Sequence, residues 1–226
     1  YLKVANEFTE EKRVTTRNFH EVSRNFWNYL IGNLHIGDSV LELGSGNGWL
    51  RDSFEWPAIN YHCVDITSSM KSVSNRVNGI VASARCIPIE GKSIDYVVAS
   101  LADPYFYPEV LCEVNRILKD EALFVATLPD KEWADNLRGI GNHKTTFLLD
   151  QGNSASVFSF TFSDEEIAML AEECGFSVKR ITHLSGAELV DNEISPAIIK
   201  AAEKANKMIK DLSIITVIIL KKRKGY

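Results

Sequence analysis

The sequence predicts an α/β fold in which a mostly parallel β-sheet carries helices on both faces. Short apolar runs alternate with amphipathic segments along the first 130 residues, and the connections between them are short. One of the apolar runs leads through three glycines directly into the next segment. Strands that alternate with helices at such spacing form parallel sheets covered on both faces.

An amphipathic helix is predicted ahead of the first strand, over residues 17–34. Phe19, Val22, Phe26 and Leu30 recur there at helical spacing, which gives the segment one apolar face. We therefore expect this helix to pack on the sheet.

The first strand is predicted over residues 39–43 and ends in a glycine-rich turn. Three glycines stand at alternate positions in residues 44–48, and a helix is predicted from about Trp49. Glycines between a strand and a helix let a ligand approach the backbone near a helix N-terminus. Glu42 places a carboxylate at this turn, which would repel a phosphate and attract a cation. The turn therefore favours S-adenosylmethionine over NAD as the ligand.

The remaining core elements follow from β-rich runs that are closed by turn residues, with Thr67 as a candidate helix cap. The predicted elements are strands over residues 59–66, 79–84, 94–100 and 122–128, and helices over residues 67–77 and 108–118.

The pattern changes after residue 130. Two β-prone runs flank a turn around Gly152, which predicts a β-hairpin inserted into the core fold. Ser163 is expected to cap a helix with an acidic first turn that ends at Cys174. The predicted elements of this half are hairpin strands over residues 144–149 and 155–162, a strand over 176–182, a helix over 196–212 and a last strand over 214–221.

The 226 residues, 45% of them hydrophobic, are enough for one sizeable α/β domain. We divide this single domain into an N-terminal helical cap (1–36), a cofactor-binding core (37–130), an inserted lid or hairpin (131–162) and the C-terminal part of the sheet (163–226).

The composition disfavours nucleic-acid and membrane partners. The net charge is −5 and the isoelectric point about 5.6, whereas nucleic-acid binding depends on phosphate neutralisation. The longest apolar run, residues 214–220, is too short to span a bilayer. The four scattered cysteines lack metal-ligand spacing, so we expect no metal and reduced core thiols in a cytoplasmic protein.

Five motifs in order resemble the class I S-adenosylmethionine-dependent methyltransferases, in particular the UbiE-like small-molecule group. They lie within residues 34–182 and are the glycine loop 42–48, Asp65 at the end of the second strand, residues 84–98 (similar to "DAxxLPF…SFDxV"), residues 111–119 (similar to "LxExxRVLKPGG") and residues 162–176. The resemblance implies a Rossmann-like class I methyltransferase fold with a mostly parallel seven-stranded sheet, and S-adenosylmethionine as the cofactor. Asp95 and Glu113 belong to the motifs and are interpreted as structural.

The resemblance also implies which residues contact the methionine and ribose parts of the cofactor. Glu42 is expected to face the ammonium group, directly or through water. The backbone of Gly44, Ser45 and Gly46 is expected to approach the methionine and the ribose. Asp65 is expected to accept hydrogen bonds from both ribose hydroxyls, because a carboxylate offers two acceptor oxygens.

The adenine is expected to lie against Ile66 and the loop of residues 83–85. Ala84 and Arg85 would meet the adenine edge through their backbone. Family members usually carry Asp at the position of Ser83, which here can accept a hydrogen bond but carries no charge. This departure predicts a lower cofactor affinity.

The methyl acceptor is expected near the carboxyl end of the fourth strand, where Ser100 and Leu101 would lie beside the methyl donor. The following loop, Asp103-Pro104-Tyr105-Phe106, resembles imperfectly the Asp-Pro-Pro-Tyr loop of amino-group methyltransferases. Three interpretations stay open: Asp103 and Tyr105 hold an amine, the aromatic residues 105–107 line the acceptor pocket, or the loop only packs.

His143 is the best candidate among five histidines for a general base, because it lies in the inserted segment. A base is needed only if the acceptor must lose a proton, since methyl transfer is an in-line displacement that positioning can drive. Trp27, Tyr29 and Trp133 are interpreted either as an aromatic lid or as core.

We therefore expect methyl transfer from S-adenosylmethionine to the oxygen, nitrogen or carbon atom of a small molecule. The inserted hairpin is expected to serve as a lid or as a homodimer contact. Two alternatives stay open: methylation of a protein or RNA site, and a non-catalytic cofactor-binding protein of the same fold.

Overall fold

The structure is a computed structural model that describes residues 13–68, 78–148, 153–189 and 193–225. Most of the helix predicted over residues 67–77 lies outside these ranges. The strands are β1 Ser39–Leu43, β2 Asn60–Asp65, β3 Gly79–Val81, β4 Ile94–Ala99, β5 Leu118–Pro129, β6 Lys144–Leu148, β7 Ser154–Phe158, β8 Phe176–Ser185 and β9 Ser213–Lys222. The helices are α1 Val14–Ile31, α2 Trp49–Asp52, α3 Pro108–Ile117, α4 Lys131–Arg138, α5 Asp164–Glu173 and α6 Pro196–Ala205.

Seven strands form one sheet in the order β3-β2-β1-β4-β5-β9-β8. The first five are parallel, and β9 is antiparallel to both of its neighbours. The prediction of a mostly parallel seven-stranded sheet is thereby confirmed. The strand order reverses between β1 and β4, and ligands of open α/β sheets bind outside the carboxyl ends of the strands at such a point.

The hairpin insertion is also confirmed. Strands β6 and β7 pair antiparallel as a separate two-stranded sheet, with Lys144 opposite Phe158. The helix that follows begins as predicted, because Ser163 and Glu166 form a reciprocal capping box.

The helix predicted from about Trp49 is confirmed but short, one helix was not predicted, and one helical prediction was wrong in extent. The segment after Gly48 is helical only over Trp49–Asp52. Helix α4 was not predicted, although Asp130 caps it by accepting a hydrogen bond from the Glu132 amide. The helix predicted to residue 212 ends at Ala205, because Asn206 adopts the left-handed conformation with φ 52° that ends many helices.

The aromatic residues considered as a lid belong mainly to the core. Trp27 on α1 is fully buried, and Trp133 is 5% exposed and packs edge-on against Phe19. Tyr29 is 69% exposed. The core interpretation therefore holds for the two tryptophans and not for Tyr29.

Helix α1 is fastened to the segment that precedes α6. The side-chain amide of Asn18 donates to the Glu193 carbonyl (3.0 Å), and its oxygen accepts from the Ser195 amide (2.9 Å). Arg17 and Glu193 add a surface ion pair at 2.7 Å. These bonds join the N-terminal helix to the C-terminal half of the domain.

The expectation of four core thiols was half wrong. All four cysteines are free thiols, but Cys86 and Cys112 are exposed while Cys63 and Cys174 are buried. Within the ranges that the structure describes, no helix is long and apolar enough to cross a membrane.

Candidate functional site

The glycine turn brings backbone amides to the carboxyl ends of β1 and β2. Gly44, Gly46 and Gly48 all have positive φ (66°, 50° and 85°), a conformation that side chains with a Cβ rarely adopt. The Ser45 amide donates to the carbonyl of Val64 (3.0 Å), which fastens the turn to β2. The turn is therefore held close to the residue that ends β2.

Asp65 ends β2 and organises the loops on both sides of it. One carboxylate oxygen accepts from the Gly46 amide (3.0 Å) and the other from the Thr67 amide (2.9 Å). Burial raises the pKa of Asp65, and the backbone hydrogen bonds oppose that effect. Each oxygen can still accept a further hydrogen bond from a ligand hydroxyl.

Glu42 lies on β1, which pairs with β2 on one side and β4 on the other, and it is only 3% exposed. Its Oε2 accepts a 2.9 Å hydrogen bond from the hydroxyl of Tyr61, a residue that the sequence did not single out. Burial, followed by the charge of Glu42, raises the pKa of Tyr61 well above its usual value. The tyrosine therefore stays protonated and fixes the carboxylate in place.

The loop predicted to meet the adenine lies beyond β3. The Ser83 hydroxyl accepts a long hydrogen bond from the Arg85 amide (3.3 Å), so it closes a turn of its own loop. The Arg85 guanidinium donates to the Tyr107 hydroxyl (3.0 Å) and lies over its ring. Ile66 is 63% exposed at the rim, where a flat apolar ligand can lie against it.

The carboxyl end of β4 is strained. Leu101 has φ 55°, and its amide donates to the Thr127 hydroxyl (3.0 Å) on β5. The Ser100 hydroxyl is buried and has no hydrogen-bond partner among the described residues. Strained backbone at the switch point of the sheet is typical of functional sites.

Tyr105 lies against the glycine turn. Its hydroxyl donates to the Leu43 carbonyl (2.7 Å), and a Cβ added to Gly44 would lie 2.3 Å from that hydroxyl. Phe106 is 1% exposed and packs on Phe124, so it belongs to the core. The packing interpretation therefore holds for Phe106, and the lining of the acceptor pocket by Tyr105 and Tyr107 stays a prediction.

Asp103 is buried under the inserted segment. Its carbonyl accepts from the Phe160 amide (3.0 Å), which joins the loop after β4 to the end of the hairpin. Burial raises the pKa of Asp103 to about 7, against the opposing effects of the Ser159 hydroxyl and the Arg138 charge. A carboxyl group that titrates near neutral pH can take up or release a proton during catalysis.

Arg138 and His143 complete this cluster from the inserted segment. Arg138 donates from Nη1 to the Thr145 hydroxyl (3.1 Å) and the Ser159 carbonyl (3.2 Å). His143 accepts from the Ser159 amide through its carbonyl (2.9 Å), and its buried Nδ1 has no partner in the described part of the chain. Asp103, Arg138 and His143 thus all contact residues 159–160, at the end of the hairpin.

Sequence reasoning missed Arg138, Ser159 and Tyr61. No spacing pattern joins Arg138 to Asp103, since the two meet only because the insertion folds over the end of β4. The structural interpretation of Glu113 is confirmed, because it accepts from the Ile87 amide (2.6 Å) and pairs with Arg116. Across the described ranges, no cluster of three or more His, Cys, Asp or Glu side chains could hold a metal ion.

The donors and acceptors at this edge fit the groups of S-adenosylmethionine. Asp65 has acceptor capacity for a diol, Glu42 offers an anchored carboxylate for an ammonium group, and exposed Ile66 offers an apolar surface for the adenine. These are local properties of the turn and of the strand ends beside it.

Comparison with known proteins agrees with this geometry. Residues 41–126 match a family model described as a methyltransferase domain. No curated protein matches the sequence.

Solved structures share the fold at low sequence identity. An S-adenosylmethionine-dependent methyltransferase from Mesorhizobium loti aligns with a TM-score of 0.60 and 15% identity, over 89% of this chain and 98% of that one. Phosphoethanolamine N-methyltransferase 2 from Haemonchus contortus, in complex with S-adenosyl-L-methionine, aligns with a TM-score of 0.56 and 14% identity, over 95% of this chain and 58% of that one.

Proposed function

We propose that the chain is a class I S-adenosylmethionine-dependent methyltransferase and that it methylates a small molecule held between the Asp103 loop and the inserted segment. The match of residues 41–126 to a methyltransferase domain supports the first part of the proposal. The observation that carries the proposal is the burial of Asp103 under that segment, at the end of β4. A buried carboxyl group that titrates near pH 7 costs stability, and such groups cluster at functional sites.

The cofactor is proposed to lie along the ends of β1, β2 and β4. Asp65 would hold the ribose hydroxyls and Glu42 the ammonium group, while Gly44, Ser45 and Gly46 contribute backbone. Ile66 and the backbone of residues 83–85 would border the adenine, and residues 100–101 would border the reacting end. When bound, the cofactor supplies a methyl group activated by its sulfonium.

The acceptor is proposed to lie beside Asp103. The ionised carboxylate would accept a hydrogen bond from the nucleophilic atom and take its proton where the acceptor must lose one. His143 is the second candidate for that proton, because its buried Nδ1 belongs to the same cluster.

Two features favour a small acceptor over a protein or RNA site. Asp103 is buried, so a bulky polymer cannot present its backbone there, and the chain is acidic overall. The name of the Haemonchus contortus enzyme indicates that a protein of this fold acts on a small amine. The same arrangement is proposed here for an acceptor of comparable size.

The test is transfer of labelled methyl groups from S-adenosylmethionine into three separate pools: a filtered low-molecular-weight cell extract, total RNA and total protein. We expect label in the low-molecular-weight pool, at a rate that rises with pH through about 7 as Asp103 ionises. Asp103→Asn should lower kcat/KM by about 10²- to 10⁴-fold without changing the affinity for S-adenosylhomocysteine.

Asp95→Asn is the matched control. Asp95 lies at the start of β4, where it accepts from the Ser39 amide and pairs with Lys119, so its loss should leave kcat/KM unchanged per folded molecule. Label in RNA or protein, or full activity of Asp103→Asn, would overturn the proposal.

A further inference from the structure

The guanidinium of Arg138 is fixed at one nitrogen and unpartnered at the other two. Nη1 donates to the Thr145 hydroxyl and to the Ser159 carbonyl. Nε and Nη2 are buried and have no hydrogen-bond partner among the residues that the structure describes. The side chain is therefore held in a defined position while two of its N–H donor groups stay unsatisfied.

These two nitrogens are the ones with which an arginine binds an oxyanion side-on. Arg116 of the same chain shows the geometry, because its Nε and Nη2 donate to the two carboxylate oxygens of Glu113 at 2.7 and 2.8 Å. Paired N–H groups in this arrangement match the oxygens of carboxylate and phosphate groups. Among the described residues, no carboxylate accepts from the same pair of donors of Arg138.

The described residues around the Arg138 guanidinium keep it in place but do not accept hydrogen bonds from Nε and Nη2. The ring of Trp133 lies 5.9 Å from the guanidinium carbon. Burial lowers the pKa of Arg138, and the negative charges of Asp103 and Asp135 oppose that effect. Because arginine in proteins stays protonated at neutral pH, two buried donors of a cation lack an acceptor among the residues that the structure describes.

Support of the hairpin does not account for this arrangement. Nη1 alone makes both bonds to the inserted segment, at Thr145 and at Ser159. A buried charged donor without a partner is costly, and the cost is removed when an anion binds. The unpaired donors are therefore most simply explained by a ligand.

We infer that Arg138 is the anion-binding residue of the acceptor site and that the methyl acceptor is a small molecule with a carboxylate or phosphate group. The inference rests on the proposed function, because it places the anion beside Asp103, the residue proposed to receive the nucleophilic atom. An acceptor of this class would reach both residues with the two ends of one small molecule.

The test follows the Nε–Hε resonances of ¹⁵N-arginine-labelled protein saturated with S-adenosylhomocysteine. The Arg138 resonance is assigned as the one missing from Arg138→Lys. Sodium acetate and inorganic phosphate are titrated at constant ionic strength set with sodium chloride. We expect a saturable shift of the Arg138 resonance with one of the two anions, in the millimolar range, and none for Arg116, whose donors are already occupied.

A stronger response to acetate assigns a carboxylate acceptor, and a stronger response to phosphate assigns a phosphate acceptor. No saturable shift in protein that binds S-adenosylhomocysteine would overturn the inference while leaving the proposed function intact. Failure to bind S-adenosylhomocysteine would instead contradict the cofactor site.

A second test measures steady-state kinetics with the acceptor recovered from the low-molecular-weight pool. Arg138→Gln should raise the KM for the acceptor at least tenfold and leave the KM for S-adenosylmethionine unchanged. An uncharged acceptor, or equal changes in both KM values, would contradict the inference.

Discussion

At the scale of single residues, the buried carboxyl group of Asp103 couples the site to pH. Its pKa rises from an ordinary value near 3.8 to about 7, mainly because burial disfavours the charged form. Between these two values the folded protein holds a proton that the unfolded chain has lost. The free energy of unfolding therefore falls as pH rises through this window, by about 4 kcal/mol at most.

Asp103→Asn should remove this pH dependence. We expect the variant to have a higher Tm than the wild type at pH 8, and the gain should shrink toward pH 4, where the carboxyl group is protonated in both states. Thermal unfolding at a series of pH values measures the difference. Parallel pH profiles for the two proteins would show that Asp103 does not titrate as described.

Tyr105 is the second residue whose position has a measurable consequence. No ligand atom can lie against the covered face of Gly44 while the Tyr105 hydroxyl is there, so we expect the ring to move when the cofactor binds. Tyr105→Phe removes the hydrogen bond to the Leu43 carbonyl, worth about 1 kcal/mol.

Titration calorimetry should therefore give a dissociation constant for S-adenosylhomocysteine about fivefold lower in Tyr105→Phe than in the wild type. Tyr107→Phe is the control from the same loop, since its hydroxyl contacts Arg85 instead of the glycine turn. An unchanged or weaker affinity of Tyr105→Phe would mean that the tyrosine does not compete with the cofactor.

At the scale of elements, the junction of α3 with β5 depends on a buried lysine. Lys222 on β9 donates from Nζ to the carbonyls of Asn115 (2.7 Å) and Leu118 (2.8 Å) with its side chain 1% exposed. These carbonyls lie at the end of α3, where the helix itself supplies no donors. The lysine therefore caps the helix from the neighbouring strand.

Lys222→Met should lower the free energy of unfolding by about 2 to 3 kcal/mol, because it leaves two buried carbonyls without donors. Lys221→Met is the control: Lys221 pairs with a Glu121 that is 62% exposed, and its loss should cost less than about 1 kcal/mol. Urea denaturation measures both. Equal effects of the two substitutions would contradict the capping role of Lys222.

At the scale of the whole molecule, the sheet could be predicted because its strands carry local signals. Buried parallel strands are mainly apolar, as residues 39–43 and 94–99 are, and turn residues close them. Helix α4 lacked such a signal, because Trp133 and Ala134 are its only buried residues. Its position depends on contacts with α6 and β9 that are distant in sequence.

The candidate site also has one part that could be predicted from the sequence and one part that could not. The glycine turn and Asp65 lie next to strand ends, so their meeting at one sheet edge follows from a parallel topology. The meeting of Arg138 with Asp103 depends on how the insertion folds back, which no local pattern specifies. The same dependence on tertiary structure explains why the hydroxyl of Tyr105 was not expected at the glycine turn.

S-adenosylmethionine is proposed to bind across the glycine turn and Asp65, and titration calorimetry with S-adenosylhomocysteine measures this binding. The wild type should bind with micromolar affinity, and Asp65→Ala should lose at least tenfold in affinity. Asp120→Ala, at the opposite edge of the sheet beside Lys92, should bind like the wild type. Wild-type affinity in a folded Asp65→Ala variant, or no binding by the wild type, would contradict the proposed cofactor site.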